Sequence, residues 1–170
     1  MKQLTLKGEL LTTNLEFPEG PIAMQDGSVL VVEIKGGRLT RVFPDGDLQV
    51  VAVLGGGPNG AAMGPDSHCY VCNNGGFSWR TDDGYSRPTG VPADYDGGSI
   101  QRVNIETGEV QVLYTHCDDV PLYGPNDIVF DSQGGFWFTD FGKKFDDRIM
   151  NGFLYYAKTD GSLIRRAAKH

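Results

Sequence analysis

Three segments of this chain open alike, and their spacing limits the fold more than any other feature. Pro18-Glu19-Gly20-Pro21-Ile22-Ala23-Met24, Pro58-Asn59-Gly60-Ala61-Ala62-Met63 and Pro125-Asn126-Asp127-Ile128-Val129-Phe130 each begin a run of four short β-like segments. The first run continues at residues 28–33, 37–42 and 48–53; the second at 68–72, 98–103 and 110–114; the third at 136–139, 152–156 and 163–166. Asp-Gly and Thr-Gly pairs such as Asp26-Gly27, Asp45-Gly46, Thr107-Gly108 and Asp160-Gly161 fall between them and suit tight hairpins. No window keeps apolar residues at helical spacing between a capping residue and a terminal glycine, so the chain reads as antiparallel strands throughout.

A four-stranded unit of about 40 residues has the size of one propeller blade. From Glu19 to Asn59 is 40 residues and from Asn59 to Asn126 is 67; the excess of 27 falls in the polar, Gly-rich stretch 73–97. The predicted fold is all-β, a β-propeller of four-stranded antiparallel blades. Blade 1 covers about 15–54, blade 2 about 56–115 with 73–97 inserted, and blade 3 about 122–168. Blades bury their sheet faces on one another, and a ring takes roughly four to eight of them. Three blades are therefore expected to belong to a larger ring, completed by more chain, by a second copy or by a complementary half. The ending, 165–170, reads as having no closing strand.

Composition narrows the function classes. With 15 basic and 22 acidic residues the net charge is −7, which repels nucleic acid. No apolar run approaches the roughly 20 residues of a membrane span. The opening residues interleave Lys2, Thr5, Lys7 and Glu9 where a signal peptide needs an unbroken apolar segment, so the expected location is the cytoplasm. Cys69 and Cys72 form a C-x-x-C, but positions three apart in a strand point to opposite faces, which argues against a redox or zinc pair.

The first strand of a propeller blade lines the central channel, so Glu19, Asn59, Asn126 and Asp127 are predicted to converge on one axis. Carboxylate and amide oxygens gathered there suit a hard divalent cation such as calcium, whereas zinc prefers His or Cys. Taken singly, each residue has a plainer reading. Glu19 could be a carboxylate at a turn, Asn59 in Pro-Asn-Gly a turn residue, and Asn126-Asp127 a cap. His68, His116 and His170 occur in unlike contexts and read as surface or loop residues; Phe136, Trp137, Phe138 and Phe141 read as blade packing.

Pro18-Glu19-Gly20-Pro21 in the first blade, and Gly124-Pro125-Asn126-Asp127-Ile128-Val129-Phe130-Asp131 followed by Gly135-Phe136-Trp137-Phe138-Thr139-Asp140 in the third, resemble the gluconolactonase/senescence marker protein/luciferin-regenerating enzyme-like family. The resemblance runs from about Leu15 to the end of the chain. It implies a six-bladed propeller that binds one divalent metal in its channel, calcium above all, and hydrolyses a small-molecule lactone. It implies that Glu19 is a direct metal ligand. Asn126 would be a ligand or hold a metal-bound water and substrate oxygen, and Asp127 would support it or bind a second ion. Asn59 is expected to meet the substrate or the ligands. The remaining ligands and the general base would lie beyond His170. An arginine that some members carry two residues before this asparagine is Gly124 here, which does not support a preference for sugar lactones. Phe77, Trp79, Tyr85 and Tyr95 of the insertion are expected to form a lid or a substrate wall at the channel mouth. The alternative is a non-catalytic propeller stabilised by metal, or one like strictosidine synthase, since fold alone does not decide chemistry.

Overall fold

The computed structural model describes residues 8–167. The leader reading at residues 1–7 and the expected blade end at 168–170, His170 included, lie outside the described residues. Every regular element among the described residues is a β-strand, and no helix there is long and apolar enough to cross a membrane. In chain order, β1 (Pro18–Ala23), β2 (Val29–Glu33), β3 (Arg38–Val42) and β4 (Leu48–Val53) form one antiparallel sheet, each strand beside the next. β5 (Pro58–Met63) and β6 (Cys69–Asn73) begin a second sheet. The hairpin β7 (Ser78–Asp82) and β8 (Tyr85–Gly90) intervenes before β9 (Ser99–Val103) and β10 (Val110–Tyr114) complete that sheet. A small hairpin follows, β11 (His116–Cys117) and β12 (Val120–Pro121). The third sheet contains β13 (Pro125–Phe130) and β14 (Gly135–Asp140). After the hairpin β15 (Lys143–Lys144) and β16 (Ile149–Met150), it closes with β17 (Leu154–Lys158) and β18 (Ile164–Arg166).

The stretch 73–97, expected as a loop, thus carries its own hairpin. Asp83 and Gly84 turn it with positive φ angles of 52° and 81°, the geometry that twists a two-residue turn to match its strands.

Strand alternation distributes the core between the sheets. Cys69 and Val71 of β6 join Leu30, Val32, Leu39 and Val103 between the first and second sheets. Tyr70 and Cys72 point the other way and join Ile100, Ile128, Phe136, Phe138 and Tyr155 between the second and third. All five residues of β6 are buried, which is why this strand has no polar face. The two thiols belong to different cores. Burial pushes Cys69 up to about 12 and Cys72 well above its ordinary value, so both remain inert thiols.

Candidate functional site

The three sheets repeat one local irregularity. In each first strand the pairing with the second skips one residue: Glu19 to Ile22, Pro58 to Ala61 and Pro125 to Ile128 each oppose a step one residue shorter. A bulge at this place bends the strand and re-aims its side chains. The bulged stretches take in Asn59 and Asn126 and directly follow Glu19, and the three residues meet on one cavity of about 480 Å³, lined also by Asp127. Two glycines permit the approach. A Cβ on Gly20, whose φ is +54°, would lie 2.8 Å from the Ala61 nitrogen; one on Gly60 would strike the Asn126 carbonyl and lie 2.7 Å from the Asp127 Cα. The residue after each site residue must therefore be bare for the next first strand to pack against it. Asp127 holds the corresponding place on the third sheet and is exposed.

Within the cavity, Asn59 Nδ2 donates to Asn126 Oδ1 at 2.8 Å. Glu19 is exposed, and its side chain takes no hydrogen bond or ion pair among the described residues. Every side-chain donor on this lining is a carboxylate or an amide, with no imidazole or thiolate, which is the set a hard cation accepts and zinc does not. No group of three His, Cys, Asp or Glu residues among those described could hold a metal ion. These residues fit such a cation as one part of its shell.

A second set of residues, missed in the sequence reading, holds the first strands in place. The residue opposite each leading proline is polar and buried: Glu33 opposite Pro18, Asn73 opposite Pro58, Asp140 opposite Pro125. Each accepts backbone N–H groups from the loop that leads into its first strand. Glu33 takes Glu16 at 2.6 Å; Asn73 Oδ1 takes Gly57 at 2.9 Å; Asp140 takes Tyr123 and Gly124, both at 2.8 Å, and Gly142 at 2.7 Å. A proline cannot donate to the ladder at that position, and the side chain opposite captures the neighbouring amides instead. A polar residue ending an apolar strand in each repeat was the available signal.

Glu33 also accepts from Arg38 Nε at 2.7 Å and from Thr40 Oγ1 at 2.5 Å. Burial pushes its carboxyl up, and these partners outweigh burial to hold it below the ordinary 4.5. A carboxyl depressed in the folded state adds stability that is complete above its unfolded value and lost as pH falls through the folded one. Glu33→Gln is therefore expected to cost about 2–3 kcal/mol at pH 7 and to flatten the acid loss of stability below the ordinary 4.5. Urea midpoints of both proteins at neutral and acid pH check this; parallel acid losses would contradict it.

None of the four aromatic residues expected over the channel lines the cavity at Glu19. Trp79 packs against Phe17, ring centres 4.9 Å apart, and against Phe77 at 6.0 Å. Tyr85 is exposed at the hairpin turn. Tyr95 donates its hydroxyl to the Tyr123 carbonyl at 2.7 Å. The insertion is fastened to the third sheet by Lys143, which is 3% exposed. Its Nζ donates to the carbonyls of Asn74 and Gly76, both at 2.7 Å, and lies 4.5 and 4.7 Å from the ring centres of Phe77 and Tyr95. Burial pulls this ammonium down to about 8, against the attraction of Asp140.

Gly124 accepts no side chain as placed: a Cβ would strike the Gly142 carbonyl and lie 3.1 Å from the Phe141 ring. Phe141 differs from the packing role expected of it. It is 50% exposed and stacks on Phe77, while Phe136 and Phe138 are fully in the core.

The SMP-30/Gluconolactonase/LRE-like region model matches residues 17–169. No curated protein matches the sequence. Among solved structures, the Xanthomonas campestris gluconolactonase is 20% identical with a TM-score of 0.69, over 94% of this chain and 50% of that one. A putative gluconolactonase is 17% identical with a TM-score of 0.64, over 94% and 51%. The nidogen/laminin complex contains a chain 18% identical with a TM-score of 0.62, over 90% and 48%. These likenesses are of fold, and the chain spans about half the length of the structures it matches.

Proposed function

The chain belongs to the SMP-30/gluconolactonase/LRE-like family, and from that premise we propose that it forms part of a β-propeller that hydrolyses a lactone with a divalent cation, calcium, in its channel. The observation that carries this reading is the meeting of Glu19, Asn59 and Asn126, one from each sheet, on a single oxygen-lined cavity. In this reading the three sheets are three blades of a six-bladed ring, with blades at about 15–54, 56–115 and 122–168. The others come from outside this chain, as further polypeptide, a second copy or a complementary half.

Glu19 and Asn126 would hold the cation, Glu19 through its carboxylate and Asn126 through the lone pair that Asn59 leaves free. A bound cation of this kind polarises a carbonyl and lowers the pKa of water. The residues of this chain orient and bind. Asn59 fixes the Asn126 amide by its 2.8 Å bond and leaves its own Oδ1 for a substrate hydroxyl or water. Asp127, exposed at the last sheet, adds a second carboxylate to the cavity wall. In the hydrolysis itself water adds to the lactone carbonyl, the ring C–O bond breaks, and the product is the open hydroxy acid. The water's proton goes to a general base that we place beyond His170.

A second reading, a propeller that binds a partner and catalyses nothing, draws on the fold likeness to a chain of the nidogen/laminin complex. A panel of lactones offered to the intact protein with and without a calcium chelator separates the two. Turnover abolished by chelator and restored by added calcium is the expected result. Turnover of none of them, with calcium present, favours the binding reading.

A further inference from the structure

In every sheet the second strand ends beside the start of the first, since Pro18 pairs with Glu33, Pro58 with Asn73 and Pro125 with Asp140. The hairpins β7–β8 and β15–β16 follow Asn73 and Asp140, so both rise at the end of the sheets where Glu19, Asn59 and Asn126 stand. Between them is a cavity of about 590 Å³, walled by Phe77, Pro88 and Val91 from one side and Phe141, Phe145 and Ile149 from the other. The rings of Phe77 and Phe141 are parallel within 4°, centres 6.4 Å apart. Phe141 and Ile149 are 50% and 66% exposed.

The two walls are tied together. Lys143 joins them through two carbonyls and two aromatic faces, and Tyr95 sets its ring edge against Phe145 at 5.7 Å. The cleft also adjoins the site. Phe141 N–H donates to the Gly124 carbonyl at 3.0 Å, and Gly124 precedes Asn126 by two residues, roughly 7 Å along a strand. Residue 124 has no room for any side chain, and the Phe141 ring stands beside it.

Resting on the hydrolase reading above, we infer that this cleft receives the apolar arm of the substrate, so that the lactone carries an alkyl or aryl substituent and is not a polyhydroxylated sugar. Sugar hydroxyls placed against these walls would lose hydrogen bonds to water without replacement. Of the polar residues on the lining, Thr89, Lys144 and Asp146 are solvent-exposed, and the buried Lys143 has its Nζ engaged by the Asn74 and Gly76 carbonyls. Each methylene buried gains about fourfold in binding, so a pentyl arm even half-covered gains more than about tenfold.

The test uses the intact protein and the Ile149→Asp variant, which changes an exposed side chain and leaves the core untouched. Trp79, beside Phe77, reports binding of 5-pentyl-2-pyrrolidinone against unsubstituted 2-pyrrolidinone by its fluorescence, and the corresponding lactones are assayed for turnover. The pentyl lactam is expected to bind at least about tenfold more tightly, and Ile149→Asp to remove most of that advantage. The kcat/KM ratio of γ-nonalactone to γ-butyrolactone should fall in step. Equal binding of the two lactams, or a ratio that Ile149→Asp does not move, overturns the inference. If gluconolactone is turned over above the alkyl lactones with no lactam preference, the substrate class falls and the hydrolase reading stands. If the lactam preference holds but no lactone is hydrolysed, the hydrolase reading falls and the cleft remains a site for an alkyl-bearing molecule.

Discussion

Glu19→Gln is expected to lower lactone turnover by the intact protein about a thousandfold, or about 4 kcal/mol of transition-state stabilisation, and to leave its unfolding midpoint unchanged. The two halves of this expectation have separate grounds. Glu19 is exposed and its side chain makes no hydrogen bond or ion pair among the described residues, so the fold does not draw on it. It is also the carboxylate that the first sheet brings to the shared cavity. Glutamine keeps the size and one oxygen but removes the charge that offsets a divalent cation, so the calcium concentration for half-maximal activity should rise as kcat/KM falls. Steady-state kinetics across a calcium titration, with thermal melts in chelator, reads both. Turnover within a few-fold of wild type would remove Glu19 from the ligand set.

Asp140→Ala is expected to cost stability, about 3–5 kcal/mol and a fall of about 10 °C in melting temperature. Its carboxylate is 6% exposed and accepts the N–H groups of Tyr123, Gly124 and Gly142. Alanine would leave all three without an acceptor beside a core that admits no replacement water cheaply. Asp140→Asn should fall between. Its amide oxygen can keep the two bonds made by Oδ1, from Gly124 and Gly142, while its NH₂ faces the Tyr123 N–H, donor against donor. The expected order of melting temperatures is wild type, Asn, Ala. Because Tyr123 and Gly124 lead directly into Asn126, the Asn variant should also bind calcium more weakly. Equal stability of all three proteins would show that Asp140 does not fasten the loop.

These two residues mark what the sequence could and could not reveal. The strand at Pro18, Pro58 and Pro125 was legible because a period of like segments, each bounded by turn residues, is a one-dimensional pattern. The convergence of Glu19, Asn59 and Asn126 followed from that period alone. The bulge that aims them did not, because it is a mismatch between two strands and has no signature in either one. Glu33, Asn73 and Asp140 were hidden for a similar reason: their role lies in the strand opposite, paired with a proline far away in sequence. The insertion's aromatic content was visible, but not its partner. Nothing near Phe77 or Tyr95 in the chain points to Lys143, and its clamp is a contact between sheets. A lid or a substrate wall was the expectation for such a segment; the contact that fastens it to the neighbouring hairpin was not legible.

The central claim is that one cation sits where three successive sheets present Glu19, Asn59 and Asn126. A long-wavelength anomalous difference map from crystals of the intact protein grown with calcium tests it most directly. The account predicts a peak inside the cavity, with a Glu19 carboxylate oxygen about 2.3–2.6 Å away and the Asn126 amide oxygen in or next to the shell. A calcium peak elsewhere in the molecule, with this cavity holding only water, would contradict it.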